Sequence, residues 1–444
     1  MGFSERRRRL LPSWAVIRGL GGAPLGLVRG APGFRLFLLA TLASSVGTWL
    51  AFVALVIDVY GHTHDARWVS ALLIVDFLPI VAAGLFAGPL VDRLPRRAIL
   101  VASDLARVGV FCALPFTTSA LQIVGLAFVA GVATSFFRPA AYAGLPTLVA
   151  DRDLPQANSL VQSADNLALT LGPVVGGAIA AASGPHPAYW FNAVTFAVSA
   201  LLILRIRQNL EEERHAREGH WRELAAGFRL IRSSQPLLTV LVAWSFVMLA
   251  LGGINVSEIV LAKDVFDAGS FGYGLLFGAA GLGLLGGSFA AGGWIEVRGV
   301  RFVYPVSIAL MGIGFAAAAA APNVWVASAL VLISGFGNGT AVVCNALLVQ
   351  RGVPDRLRGR AFTLLMSTGY AVLGLGMIGA GPLTNAVGAR DLWGIAAGLC
   401  SLAAIAGLVT LAGFEDRPEH ARAADGGGEG GAGAPDDRYE RQAS

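Results

Sequence analysis

Twelve long apolar runs, each about the length of a bilayer crossing, take up most of this chain. A spanning helix needs about 20 mostly apolar residues, because in hydrocarbon the backbone must close every hydrogen bond internally. In the first half the runs are Leu36–Tyr60, Trp68–Val91, Ala98–Thr118, Leu121–Val149, Ala157–Ser183 and Ala188–Leu204. In the second half they are Leu237–Leu261, Ser270–Ile295, Phe302–Ala321, Val324–Gln350, Ala361–Val387 and Leu392–Leu411. Pro139 and Pro146 are expected to bend or end the fourth run. Charged residues make up only 14% of the 444 and hydrophobic residues 55%. Soluble domains carry about 25% charge, so an ordinary water-soluble enzyme is excluded.

The short polar segments between the runs carry an orientation signal. Lys263 is the only lysine, so nearly all of the 33 basic residues are arginine. With the N-terminus inside, the inner segments hold 28 of them and the outer loops only Arg67, Lys263 and Arg390. This bias places both termini in the cytoplasm of a multi-pass plasma (inner) membrane protein. Arginines dispersed in this way do not build the basic face that nucleic-acid binding needs, so no nucleic-acid partner is expected. The organisation that follows is an N-terminal arm with Arg6–Arg9 (1–35), a six-helix bundle (36–204), a middle loop (205–236), a second six-helix bundle (237–413) and a disordered tail (414–444). Cys112, Cys344 and Cys400 lie inside apolar runs without metal-ligand spacing, so they read as reduced packing residues and no metal is expected.

The two halves are copies. Val149–Leu160 aligns with Val353–Leu364 at an offset of 204, with Val, Asp, Arg, Ala and Leu coinciding. At the same offset Gly88 meets Gly292, Asp92 meets Glu296 and Gly172 meets Gly376. Six-helix repeats in the same orientation, with substrate bound between them, are one large transporter layout.

The loop after the second run reads Gly88-Pro-Leu-Val-Asp92-Arg93-Leu-Pro-Arg96-Arg97. It resembles the signature loop of the major facilitator superfamily, with Pro95 where the signature carries a glycine. The resemblance implies a conformational latch made by Gly88, Asp92, Arg93, Arg96 and Arg97, with the (i, i+3) pair Asp104 and Arg107 bracing it. A plainer reading is that the arginines only set topology. Leu171-Gly172-Pro173-Val-Val-Gly176-Gly177 is similar to the Gly-Pro motif of the superfamily's antiporters, where a kinked helix packs closely and is linked with export. A third antiporter signature, an arginine four residues before Gly131, is replaced by Ala127. Ser45-Val-Gly47-Thr-Trp49, Phe137-Arg-Pro-Ala140, Leu145-Pro146, Phe191–Phe196 and Gly227–Arg232 look like the branch of enterobactin and macrolide exporters. The fold implied is all-α and polytopic, twelve transmembrane helices in two parallel six-helix repeats.

Charges inside the membrane are costly, and each is a site hypothesis. Asp76 lies about 8 residues, or roughly 12 Å, into the second run, with no neutralising partner in its own helix and Ala280 at its repeat position. It reads as a proton carrier or as a carboxylate solvated in a watery cavity. Asp165 and Arg138 lie at similar depth on successive helices. They read as an ion pair that breaks and re-forms, or as static glue. Asp58 and Glu258, near outer ends, are expected to reach the interface. Trp49, Gln162, Asn166, Asn192, Trp244, Asn255 and Asn345 are the cavity candidates. The sequence carries no nucleotide-binding loop and no enzyme signature, so no catalytic residue and no cofactor are expected. The proton-motive force, about 2.3 kcal/mol per charge per 100 mV, is the energy source expected.

The reading is a secondary transporter with a small amphipathic molecule (a drug, siderophore or secondary metabolite) and protons as partners, monomeric in the bilayer, most simply an exporter. Uptake by symport or facilitated diffusion stays open. A polytopic enzyme or receptor would need a catalytic cluster or a sizeable domain outside the membrane.

Overall fold

The computed structural model describes residues 26–86, 94–210, 234–353 and 355–412. Most of the arm (1–25), the Gly88–Arg93 part of the signature loop, the core of the middle loop (211–233) and the tail from residue 413 lie outside the described residues.

Twelve long helices follow one another among the described residues. They are α1 (Pro32–Thr63), α2 (Ala66–Phe86), α3 (Arg96–Ala113), α4 (Ala120–Gly144), α5 (Leu154–Ser183), α6 (His186–Leu204), α7 (Gln235–Val260), α8 (Gly269–Arg298), α9 (Val300–Ala319), α10 (Val324–Gly352), α11 (Asp355–Val387) and α12 (Ala389–Thr410). Eleven candidate spans are long and apolar enough to cross a membrane; α2, whose side chains are only partly described, is the remaining long helix. Pro139 stays inside α4, and Pro146 falls in the single 3₁₀ turn Leu145–Thr147 that ends it. A π-helical turn, Leu261–Val265, follows α7.

The repeat is visible in the helix ends. Ser119 and Asn323, 204 residues apart, are both extended N-caps whose side chains accept a backbone N–H, that of Gln122 and that of Val326. Caps of this kind satisfy donors that the first helical turn leaves unpaired. Gly184 (φ 79°) and Gly388 (φ 87°), at the same spacing, turn the chain after α5 and α11 in a conformation that side chains disfavour.

The packing repeats too. In the first half α1 packs on α5 and α6, α3 on α4 and α6, and α2 on α4. In the second half α7 packs on α11 and α12, and α9 on α10 and α12. Glycines set the closest crossings, as expected where small residues let helix backbones approach in a bilayer. A Cβ on Gly172 of α5 would sit 2.7 Å from Trp49 Cβ of α1, and one on Gly176 would collide with the Leu50 carbonyl oxygen. Their counterpart on α11, Gly376, meets Leu249 and Gly252 of α7 in the same way.

The chain divides into two compact units, Met1–His215 with Ala262–Gly278, and Ala216–Leu261 with Ala279–Ser444. The segment Ala262–Gly278, expected in the second bundle, therefore groups with the first. Its small residues explain this: Gly274 faces the Pro173 carbonyl and Gly177 of α5, and Gly278 faces Val174. Phe277 packs at a tilt against Trp49 and Phe52 of α1, ring centroids 6.1 and 5.7 Å apart.

One charged pair in the first unit is buried. Arg107 of α3 (2% exposed) donates to Asp104 at 2.5 Å, and its guanidinium lies 4.4 Å from the Phe137 ring and 4.1 Å from the Phe196 ring. The ion is thus clamped between α4 and α6 by paired charge and cation–π attraction. Removing one partner of a buried pair strands the other charge. Arg107→Met is expected to destabilise the purified protein by about 3–5 kcal/mol, read as a lower Tm in detergent, whereas Asp104→Leu with Arg107→Met recovers most of the loss. Gly176→Ala is expected to lower Tm, while Gly374→Ala, where a Cβ meets nothing within 4 Å, leaves it unchanged or slightly raised.

Candidate functional site

The charged residues within the helices of the first unit fall into distinct settings. On α5, Asp165 faces Arg138 of α4, with Arg138 Nη2 3.7 Å from Asp165 Oδ2. The other carboxylate oxygen accepts a hydrogen bond from the Ser45 hydroxyl of α1. Three helices thus meet at one carboxylate. The close α1–α5 approach at Gly172 and Gly176 brings Ser45 within reach. The partners are unequally covered: the Asp165 side chain is 14% exposed and the Arg138 side chain 56%. Gln162 and Asn166 flank Asp165 on α5, with Gln162 Nε2 donating to Asn166 Oδ1 at 3.2 Å. Tyr142, one helical turn beyond Arg138, is exposed.

Asp76 of α2 stands apart. Its side chain is half-buried, and no side chain among the described residues pairs with it. Gly131 of α4 lies against its backbone, where a Cβ would come within 3.1 Å of the Val75 and Asp76 carbonyl oxygens. The glycine therefore holds α2 and α4 together at the level of the carboxyl group.

Of the residues grouped as a latch, Gly88, Asp92 and Arg93 lie outside the described residues. Arg96 donates to the Ala143 carbonyl at the end of α4 (2.8 Å) and to that of Leu210 (3.0 Å), and Arg97 donates to the Gln208 carbonyl (2.7 Å). These two arginines tie the start of α3 to the end of α4 and to the strand of chain leaving α6. Asp104 and Arg107 form the buried pair above.

The cavity candidates divide. Trp244 and Asn345 come together in the second unit, where α7, α10 and α11 enclose a narrow apolar cleft also lined by Phe362 and Met366. Asn345 Oδ1 is buried there with no partner among the described residues. Trp49, Asn166 and Asn255 are half-buried, and Gln162 is exposed on α5. Asn192 is a correction: it is fully buried, and with Thr195 fills the space beside Gly47 where α6 crosses α1. It packs helices and lines no open space.

Asp58 and Glu258 are also corrections. Both are buried, 6% and 4% exposed, so neither reaches an interface. Asp58 accepts from the Tyr189 hydroxyl at 2.7 Å and lies 3.2 Å from His62 Nδ1. On the same helix the Tyr60 hydroxyl donates to Asp264. Those two residues are 204 apart and so hold equivalent positions in the two repeats, an offset that does not by itself signal contact. The one signal for Ser45 was its place in the exporter-like Ser45–Trp49 stretch.

Among the described residues, no group of three His, Cys, Asp or Glu is placed to hold a metal ion. The comparisons with known proteins then agree in kind. The chain is 26% identical over 400 residues to the MFS-type transporter YfiS of Bacillus subtilis (strain 168), covering 87% of this chain and 94% of that one. It is 28% identical over 371 residues to the multidrug efflux pump Tap of Mycolicibacterium fortuitum, covering 80% and 89%. The crystal structure of the nucleoside transporter NupG superposes with a TM-score of 0.67 at 15% identity, over 86% of this chain and 99% of that one. A bacterial homologue of the iron transporter ferroportin, in its inward-facing state, does so at 0.70 and 14%, over 85% and 98%. At such identities the structures speak for the fold alone. The family profile described as transmembrane secretion effector matches residues 24–424. The chain is a multi-pass membrane transporter of the major facilitator superfamily and belongs to its transmembrane secretion effector family.

Proposed function

We propose that the protein exports an amphipathic small molecule from the cytoplasm by alternating access, in exchange for protons. The observation that carries this reading is the likeness to a multidrug efflux pump along 80% of the chain, through both repeats. In this reading the protein works as a monomer in the plasma membrane with both termini in the cytoplasm, where the arginine-rich segments favour them. It needs no cofactor beyond the proton-motive force.

Asp76 carries the proton. A transferable proton needs a group that is not already committed, and Asp76 has no partner among the described residues. Asp165 is held from two sides, by Ser45 and Arg138, and serves as the counter-ion that keeps Arg138 in place. Glycines at the α1–α5 and α2–α4 crossings let these helices move as close-packed bodies. The loop containing Asp92, with Arg96 and Arg97 anchored at its end, controls the change of state.

Inside-out vesicles test this with a panel of dyes, macrolides and siderophores. Wild-type vesicles are expected to accumulate at least one compound, and an uncoupler to abolish the accumulation. Asp76→Asn is expected to bind that compound yet accumulate none. Accumulation that survives in Asp76→Asn assigns the proton elsewhere, with Asp165 next. Transport found only into right-side-out vesicles overturns export in favour of uptake.

A further inference from the structure

Arg138 is an unusual charge for a membrane helix. It lies inside the span Ala120–Thr147, yet its side chain is 56% exposed. A guanidinium at such a position must face protein or water, because hydrocarbon offers it nothing. Protein satisfies little of it. At 3.7 Å the contact to Asp165 is an ion pair but falls outside hydrogen-bond distance. Asp165 spends its other oxygen on Ser45. Among the described residues, no acceptor stands within hydrogen-bond reach of any of the five guanidinium N–H donors.

The surroundings of this unfilled fork are selective. Gln162 and Asn166 present side-chain amides on α5, and Tyr142 presents a hydroxyl on the next turn of α4. Trp49, one turn beyond Ser45 on α1, sets a half-buried indole on the same face of that helix. The titratable and charged groups of this cluster are Arg138 and Tyr142 from α4 and Asp165 from α5; α1 contributes only the Ser45 hydroxyl. A planar guanidinium with free parallel donors matches a carboxylate.

We infer that Arg138 is the recognition residue for the transported molecule, and that this molecule is an organic anion: a carboxylate joined to an apolar, ring-bearing body. The carboxylate takes the free donors of Arg138, competing with Asp165, and the apolar body lies toward Trp49. Asp165 is then a positioning residue that holds the fork in place while the site is empty. An anion leaving as a proton enters moves two charges down the membrane potential, which strengthens the outward drive. The inference rests on the reading of the protein as an exporter only for the direction of travel.

The test uses the purified full-length protein in detergent and a matched set of probes: naphthoate, the neutral naphthamide and the cationic naphthylmethylammonium. Binding is read from tryptophan fluorescence and from the ligand-induced rise in Tm. Naphthoate is expected to bind, and the neutral and cationic probes to bind at least about tenfold more weakly. Arg138→Gln is expected to weaken naphthoate by at least about tenfold, and Arg138→Lys less, since it keeps the charge and loses the fork. Asp165→Asn is expected to tighten naphthoate several-fold by removing the competitor. Arg138→Lys and Asp165→Asn decide the matter if Arg138→Gln does not fold. Absence of naphthoate binding by the wild type overturns the inference. So does equal binding in Arg138→Gln, preference for the cation, or weaker binding in Asp165→Asn. Arg138-dependent binding without vesicle export keeps the inference and removes the export reading; export without it does the reverse.

Discussion

A polar group in hydrocarbon can bond only to the protein itself or to water that the protein admits. That constraint accounts for the helices, the capping side chains at Ser119 and Asn323, and the unusual care with which charges are placed. Arg107 and Asp104 meet it by pairing and by sandwiching the cation between two rings. Asp58 meets it with a tyrosine hydroxyl and a histidine. Arg138 meets it only in part, and Asp76 with no partner among the described residues. The first two sites are built to stay as they are. The last two have unused capacity, which is what an exchanging proton or an arriving ligand requires.

Close helix packing is the second support of the structure, and it comes from glycine. Gly172 and Gly176 let α5 lie on the backbone of α1, and Gly131 lets α4 lie on α2. These contacts position Ser45 against Asp165 and fix the level of Asp76. The same device recurs in the second half, where Gly376 of α11 meets α7.

Much of the fold was legible in the sequence. Apolar runs and the constant offset of 204 indicated the helices and the repeated organisation, and the offset recurs in the paired caps and the paired left-handed glycines. The site was legible only in outline. Asp165 and Arg138 were paired by depth, and the structure brings them together. Ser45, the burial of Asp58 and the packing role of Asn192 were not foreseen. The reason is physical: lipid and protein core are both apolar, so a membrane helix shows little contrast between its lipid face and its buried face. Hydropathy then reveals how deep a residue lies but not which way it points. The grouping of Ala262–Gly278 with the first unit was hidden for a related reason. Small residues record close contact without naming the partner.

In the proposed mechanism the uncommitted carboxyl group of Asp76 exchanges its proton with the substrate. The most direct measurement adds the compound most strongly accumulated by vesicles to purified protein in weakly buffered detergent solution, with a pH-indicator dye present. Binding is expected to release protons from the wild type and from Asp165→Asn, but none from Asp76→Asn that still binds. Undiminished release from Asp76→Asn, or no release from the wild type on binding, would contradict it.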